Sequence, residues 1–159
     1  MQKTHNTLTE NIRGQSIELL GKNLAAAIDL HMQLKLAHWN VRGPAFIAIH
    51  ELFDKVAGEV EEFSDMLAER IGALGGVAKG GAKIVLEKSF LKPYPVEIAN
   101  EQTHVEAVSK ALAAFGESIR ESIDQSADFG DAITADLFTN IGRGVDQQLW
   151  FVESHNALK

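Results

Sequence analysis

The chain has 159 residues, 45% of them apolar and 23% charged, which is enough for one domain with a buried core and too few for two. Twenty-two acidic against fifteen basic residues leave a formal charge of −7, which repels a phosphate backbone unless a local basic patch intervenes. The absence of cysteine excludes a disulfide scaffold, a thiolate metal site and a cysteine nucleophile together. Met1 to Glu10 is polar and lacks the apolar run of a signal peptide, and nowhere do about 18 apolar residues follow one another to span a membrane. These features predict one soluble, cytoplasmic domain over 1–159, with no membrane partner and with 1–13 as a short tail.

Only three prolines occur, Pro44, Pro93 and Pro95, so long tracts are free of helix breakers. Ile17, Leu20, Leu24 and Ile28 recur at spacings of three and four, which predicts a first helix running to about Asn40. After a break at Asn40 to Gly43, Pro44 suits the first turn of a second helix. There Phe46, Ile49, Phe53, Val56, Val60, Phe63, Leu67, Ile71 and Leu74 hold one face until Gly75-Gly76 ends it. Residues 75–100 read as a connection with a short helix near Ala82 to Lys88. Val105, Val108, Leu112, Phe115, Ile119 and Ile123 predict a third long helix. A turn near Ala127 to Gly130 leads to a fourth, carrying Phe138, Ile141, Val145, Leu149 and Val152. Links that run short, long, short predict an all-α fold, a ferritin-like four-helix bundle of two hairpins joined by a long crossover.

The second helix carries another file besides its core. His50, Asp54, Glu61, Asp65 and Glu69 fall together, about a quarter turn or more off the apolar direction. His50/Asp54 and Asp65/Glu69 are each i, i+4 pairs, able to chelate from adjacent turns, and imidazole with carboxylates suits Fe(II), Mn(II) or Zn(II). One helix cannot bring both pairs to one centre, because Asp54 and Asp65 are separated by roughly 16 Å along the axis. Residues 50 and 69, like 54 and 65, are however centred on the same point, between Glu59 and Val60. Two copies of this helix crossing antiparallel there would set each His50/Asp54 pair level with the partner's second pair. Ala57 and Gly58, small residues on that flank, would permit the approach. A two-fold dimer would then hold two equivalent metal sites. His38, on the apolar side near the end of the first helix, folds back to the level of His50 and completes the half-site.

A polar file beside a helix core is more often simply a solvated face. The coincident midpoints and the histidine on the first helix count against that reading here. Other groups carry less. Glu101-Gln102-Thr103-His104 is the single Glu-x-x-His run, and an exposed helix start accounts for it. His31 reads as a hydrogen-bonded core histidine, His5 and His155 as surface residues, and Trp39 as packing that could also shield the site or intercept radicals. No phosphate loop, nucleotide fingerprint or serine triad is present.

The run His38-Trp39-Asn40-Val41-Arg42-Gly43, then His50-Glu51-x-x-Asp54, then Asp65-x-x-x-Glu69-Arg70 and Gly75-Gly76, closely resembles the Dps family. These are the DNA-protection-during-starvation mini-ferritins of bacteria. The resemblance extends to Tyr94-Pro95 and to Leu149-Trp150-Phe151-Val152-Glu153. It implies a hollow homododecamer that oxidises Fe(II), preferentially with hydrogen peroxide, and stores the ferric product as mineral, protecting against oxidative damage. The two-iron centre would take His38, His50 and Asp54 from one subunit and Asp65 and Glu69 from its neighbour. Glu51 would sit where mineral nucleates, and Asp131 and Asp136 would match the acidic pore that admits iron. DNA-binding members carry a mobile tail rich in Lys or Arg, whereas the first thirteen residues here offer only Lys3 and Arg13. Lys79, Lys83, Lys88 and Lys92 in the crossover are the alternative basic patch. The competing readings are a nucleoid-compacting DNA-binding protein in which iron oxidation is secondary, which the charge disfavours, and a helical assembly without metal.

Overall fold

A computed structural model describes residues 1–98 and 100–156. Among the described residues five helices follow one another: α1 (Glu10–Asn40), α2 (Phe46–Ala73), α3 (Ala82–Lys88), α4 (Glu101–Asp128) and α5 (Ala132–Glu153). The expected bundle is present. α1 pairs with α2 and α4 with α5, the two hairpins close through α1 on α4 and α2 on α5, and α3 lies against α1. The apolar stripes meet in one core, with Leu20, Leu34, Phe53, Val60, Leu112, Phe115, Phe138 and Val145 fully buried. No helix among the described residues is long and apolar enough to cross a membrane.

Helix ends explain where the bundle departs from the periodicity. α1 begins at Glu10, inside the segment read as tail, because the Thr9 hydroxyl caps it by accepting from the Ile12 N–H. Residues 1–9 fold back on the end of α2: Gln2 N–H donates to the Gly75 carbonyl at 2.7 Å, and Arg13 Nη1 donates to the Leu74 carbonyl at 3.0 Å. α2 starts after Pro44, at Phe46, and has no cap of its own. Its missing acceptor comes from another helix, where Glu101 Oε2 of α4 takes the Ala45 N–H at 2.9 Å.

α2 ends in a Schellman turn. Gly75, at φ +81°, donates to the Gly72 carbonyl, and Gly76 donates to Ile71. α4 ends the same way at Gly130, φ +89°, with Asp131 N–H returning to Ser126. Asp131 at once caps α5 through the Thr134 N–H. One residue therefore closes one helix and opens the next.

Candidate metal centre

α1 and α2 form a hairpin whose tight turn sets His38 beside His50. The two imidazoles stack, with centroids 3.7 Å apart and planes 19° from parallel. His38 Nδ1 donates to the His50 carbonyl and His50 Nδ1 donates to the His38 carbonyl, each at 2.8 Å. A carbonyl oxygen can only accept, so both rings carry a proton on Nδ1, and Nε2 is the nitrogen that faces away from these bonds. A backbone carbonyl behind the ring is the usual way to orient an imidazole as a metal ligand.

Asp54 lies one turn beyond His50, its Oδ1 4.0 Å from His38 Nε2. Lys35 Nζ is 2.5 Å from the same oxygen. The Lys35 hydrogen bond is the main reason the Asp54 carboxyl is held below the usual carboxylate range, with smaller help from the Lys35 charge and from His38 and His50. Lys35 escaped the sequence reading, although its place three residues before His38 puts both on one face of α1. His38, His50 and Asp54 thus lie together on the α1–α2 hairpin, two stacked imidazoles beside one ionised carboxylate.

The remaining residues of the polar file are placed elsewhere in the subunit. Asp65 and Glu69 are exposed further along α2 and form no ion pair with any described residue. Among the described residues, no three His, Asp or Glu side chains of one chain converge closely enough to hold a metal. Glu51 and Asp136 are exposed. Gly58 is open, with nothing within 4 Å of an added Cβ, whereas Ala57 is 1% exposed and packs inside the subunit, its carbonyl bonded by His31 Nδ1 at 3.0 Å. His31 is the hydrogen-bonded histidine the sequence suggested.

Three expectations need correction. Asp131 does not face a pore. It is 1% exposed and occupied on both oxygens, by Arg70 Nη2 at 2.9 Å, by the Thr134 N–H and hydroxyl, and by the Ser16 hydroxyl. His104 is not at an exposed helix start but fully buried, with Tyr94 Oη 2.6 Å from its Nδ1, while Glu101 serves the end of α2. Trp39 is 57% exposed and does not pack in the subunit core.

The Ferritin family, described as a ferritin-like domain, matches residues 17–158. The DNA protection during starvation protein of Agrobacterium fabrum is 40% identical over 153 residues, covering 96% of this chain and 94% of that protein. The protein of the same description from Mycolicibacterium smegmatis is 35% identical over 138 residues, covering 87% and 75%. Among solved structures, DpsC from Streptomyces coelicolor superposes with a TM-score of 0.94 at 31% identity, over 99% of this chain and 92% of that one. Mycobacterium smegmatis Dps in its tetragonal form gives 0.92 at 32%, over 98% and 93%. A bundle of this topology, a family match over most of the chain and relatives of this similarity place the chain in the Dps family of ferritin-like proteins.

Proposed function

We propose that this chain is a ferroxidase and iron-storage subunit of the cytoplasm, which protects the cell by removing ferrous iron and hydrogen peroxide together. Membership of a ferritin-like family supports the iron-binding, protective role. The observation that carries the finer reading is the reciprocal pair of bonds from His38 and His50 to each other's carbonyls, which engages each Nδ1 and leaves each Nε2 for a ligand beside the ionised Asp54. Neutral imidazole and carboxylate are donors that suit ferrous iron. A half-site open on the subunit surface calls for a neighbour, and Asp65 and Glu69 of a second copy, at the matching distance from the middle of α2, are the groups that fit.

Iron is the substrate in this scheme. Two ferrous ions held side by side let hydrogen peroxide take one electron from each, giving two ferric ions and two hydroxides with no radical released. The carboxylates of Asp54, Asp65 and Glu69 favour the ferric product through its higher charge. Twelve chains would enclose the mineral, with Glu51 as a nucleation site and Asp136 at the pore that admits iron. DNA compaction receives no support from the tail. Residues 1–9 are docked on the α2 terminus, and Arg13 is engaged by the Leu74 carbonyl rather than projecting.

The test is an anaerobic Fe(II) titration followed by stoichiometric peroxide, with optical detection of the ferric product. Saturable binding, and oxidation much faster with peroxide than with dissolved oxygen, are expected, and Asp65→Ala should remove most of that advantage. Absence of saturable binding would leave only a structural shell.

A further inference from the structure

Tyr94 is the only tyrosine in the chain and lies in the crossover, 9% exposed. Its hydroxyl is 2.6 Å from Nδ1 of the fully buried His104, and the two rings are 26° from parallel with centroids 6.1 Å apart. Burial pushes the phenol up, and it pushes the imidazole down against the pull of the Ile98 and Asn40 backbone. Near neutral pH the pair is therefore a protonated phenol against a neutral imidazole, and in the tautomer that carries its proton on the buried Nε2 the hydroxyl donates and Nδ1 accepts. Among the described residues the Tyr94 hydroxyl has no other hydrogen-bond partner.

The position of the pair matters as much as its chemistry. Asn40, whose backbone acts on His104, is two residues past His38 on α1, about 3 Å along the axis. One turn before His104, Glu101 holds the start of α2 at Ala45, just ahead of His50. The phenol and its base thus lie at the same end of the bundle as the His38–His50 half-site, shielded from water that half-site residues meet.

We propose that Tyr94 and His104 form a redox-active pair, in which Tyr94 gives one electron to an oxidant of the hydroxyl-radical class while its phenolic proton passes to His104 Nδ1. The proposal rests on the iron reading for the source of that oxidant. A lone Fe(II) meeting hydrogen peroxide yields Fe(III), hydroxide and a hydroxyl radical. The radical takes the electron from Tyr94 and becomes a second hydroxide, leaving a phenoxyl radical and an imidazolium inside the protein. An electron from a second Fe(II) reduces the phenoxyl, and the proton returns from His104 to its oxygen. The sum is two Fe(II) oxidised per peroxide, the same balance as the paired reaction. The pair would serve the turnovers in which the second iron arrives late.

A tyrosyl radical in this protein can come from one residue alone, which makes the test direct. The assembled full chain is oxidised in two arms, by flash photolysis of ruthenium tris-bipyridine with persulfate, and by Fe(II) with hydrogen peroxide, each followed by freeze-quench EPR. A tyrosyl signal narrowed by ring-deuterated tyrosine, with the g anisotropy of a hydrogen-bonded phenoxyl, is expected in both arms. His104→Phe should slow flash oxidation of Tyr94 by about a hundredfold, the scale of a lost positioned base. Should that variant fail to fold, the deuterated wild-type chain decides alone. Iron oxidation with only tryptophanyl signals, from the exposed Trp39 and Trp150, or with no radical in either arm, would overturn the pair and leave the iron reading standing. A tyrosyl radical under the flash with no iron oxidation under peroxide would support the pair and overturn the iron reading.

Discussion

Asp131 shows how one buried acid can be mistaken for a surface one. Burial pushes its carboxyl up, but hydrogen bonds from Thr134 and Ser16 and the charge of Arg70 outweigh this and hold it below the usual carboxylate range. A lowered folded value means the stabilisation is complete above the unfolded value of about 4 and is lost as pH falls through the folded one. Asp131→Asn strands the half-buried Arg70 and should cost about 3 kcal/mol in chemical denaturation at fixed chain concentration. The variant should also lose part of the wild-type decline in stability below about pH 4. Lys35 makes a different prediction. Its ammonium occupies Asp54 Oδ1, an oxygen that the proposed iron site needs. Removing this half-exposed pair with Lys35→Met should tighten anaerobic Fe(II) binding by about two- to fivefold, the range of an exposed ion pair. Unchanged or weaker binding would show that Lys35 does not compete.

Among the helices, α2 carries the candidate ligands and depends on other segments at both ends. Glu101 supplies its N-terminal acceptor, and Gly43, at φ +154°, leaves the space that the Glu101 carboxylate fills. At the other end Gly75 is left-handed, and a Cβ there would approach the Gln2 carbonyl at 2.9 Å. Gly75→Ala should therefore destabilise by about 1–2 kcal/mol and release the N-terminal segment to proteolysis. Gly14, inside α1 with nothing within 4 Å of an added Cβ, is the contrast. Gly14→Ala should raise stability by about 1 kcal/mol, because a helix interior favours alanine. Equal effects at the two positions would mean that the Schellman turn and the docked segment contribute nothing.

Across the assembled molecule, the proposed shared site allows two different lesions to complement. His50→Ala and Asp65→Ala shells should each be nearly inactive. Co-assembled at equal ratio, about half of the two-fold pairs are mixed, and in each mixed pair one site receives intact His50 and Asp65. About a quarter of all sites should then regain fast peroxide-driven oxidation. Mixed shells no more active than their parents would rule out sharing. The negative charge and docked tail also predict no gel shift of DNA at about 150 mM salt above pH 7. A shift that persists there would point to the crossover lysines, of which Lys83 is 87% exposed.

Much of the fold was legible because long amphipathic helices repeat their signal many times. Eight apolar positions on α2, with Leu74 just past its end, and six on α4 line one face each, and Gly75-Gly76 and Gly130 mark the stops. The proximity of His38, His50 and Asp54 was legible for the same reason: His50 and Asp54 are one turn apart, and a tight hairpin leaves His38 little freedom. Residues paired across distant elements were not. Spacing says nothing about an α4 carboxylate capping α2, about His104 closed over by a crossover tyrosine, or about Asp131 meeting Ser16 and Arg70. Those contacts join segments separated by tens of residues, and burial turns such residues from solvated charges into obligate hydrogen-bond partners. By itself the sequence determined the helices, their order and the outward file on α2, since each follows from local periodicity. Only the tertiary structure decided the histidine tautomers, the Lys35 contact and which acids are enclosed, because each depends on what another segment places within 3 Å.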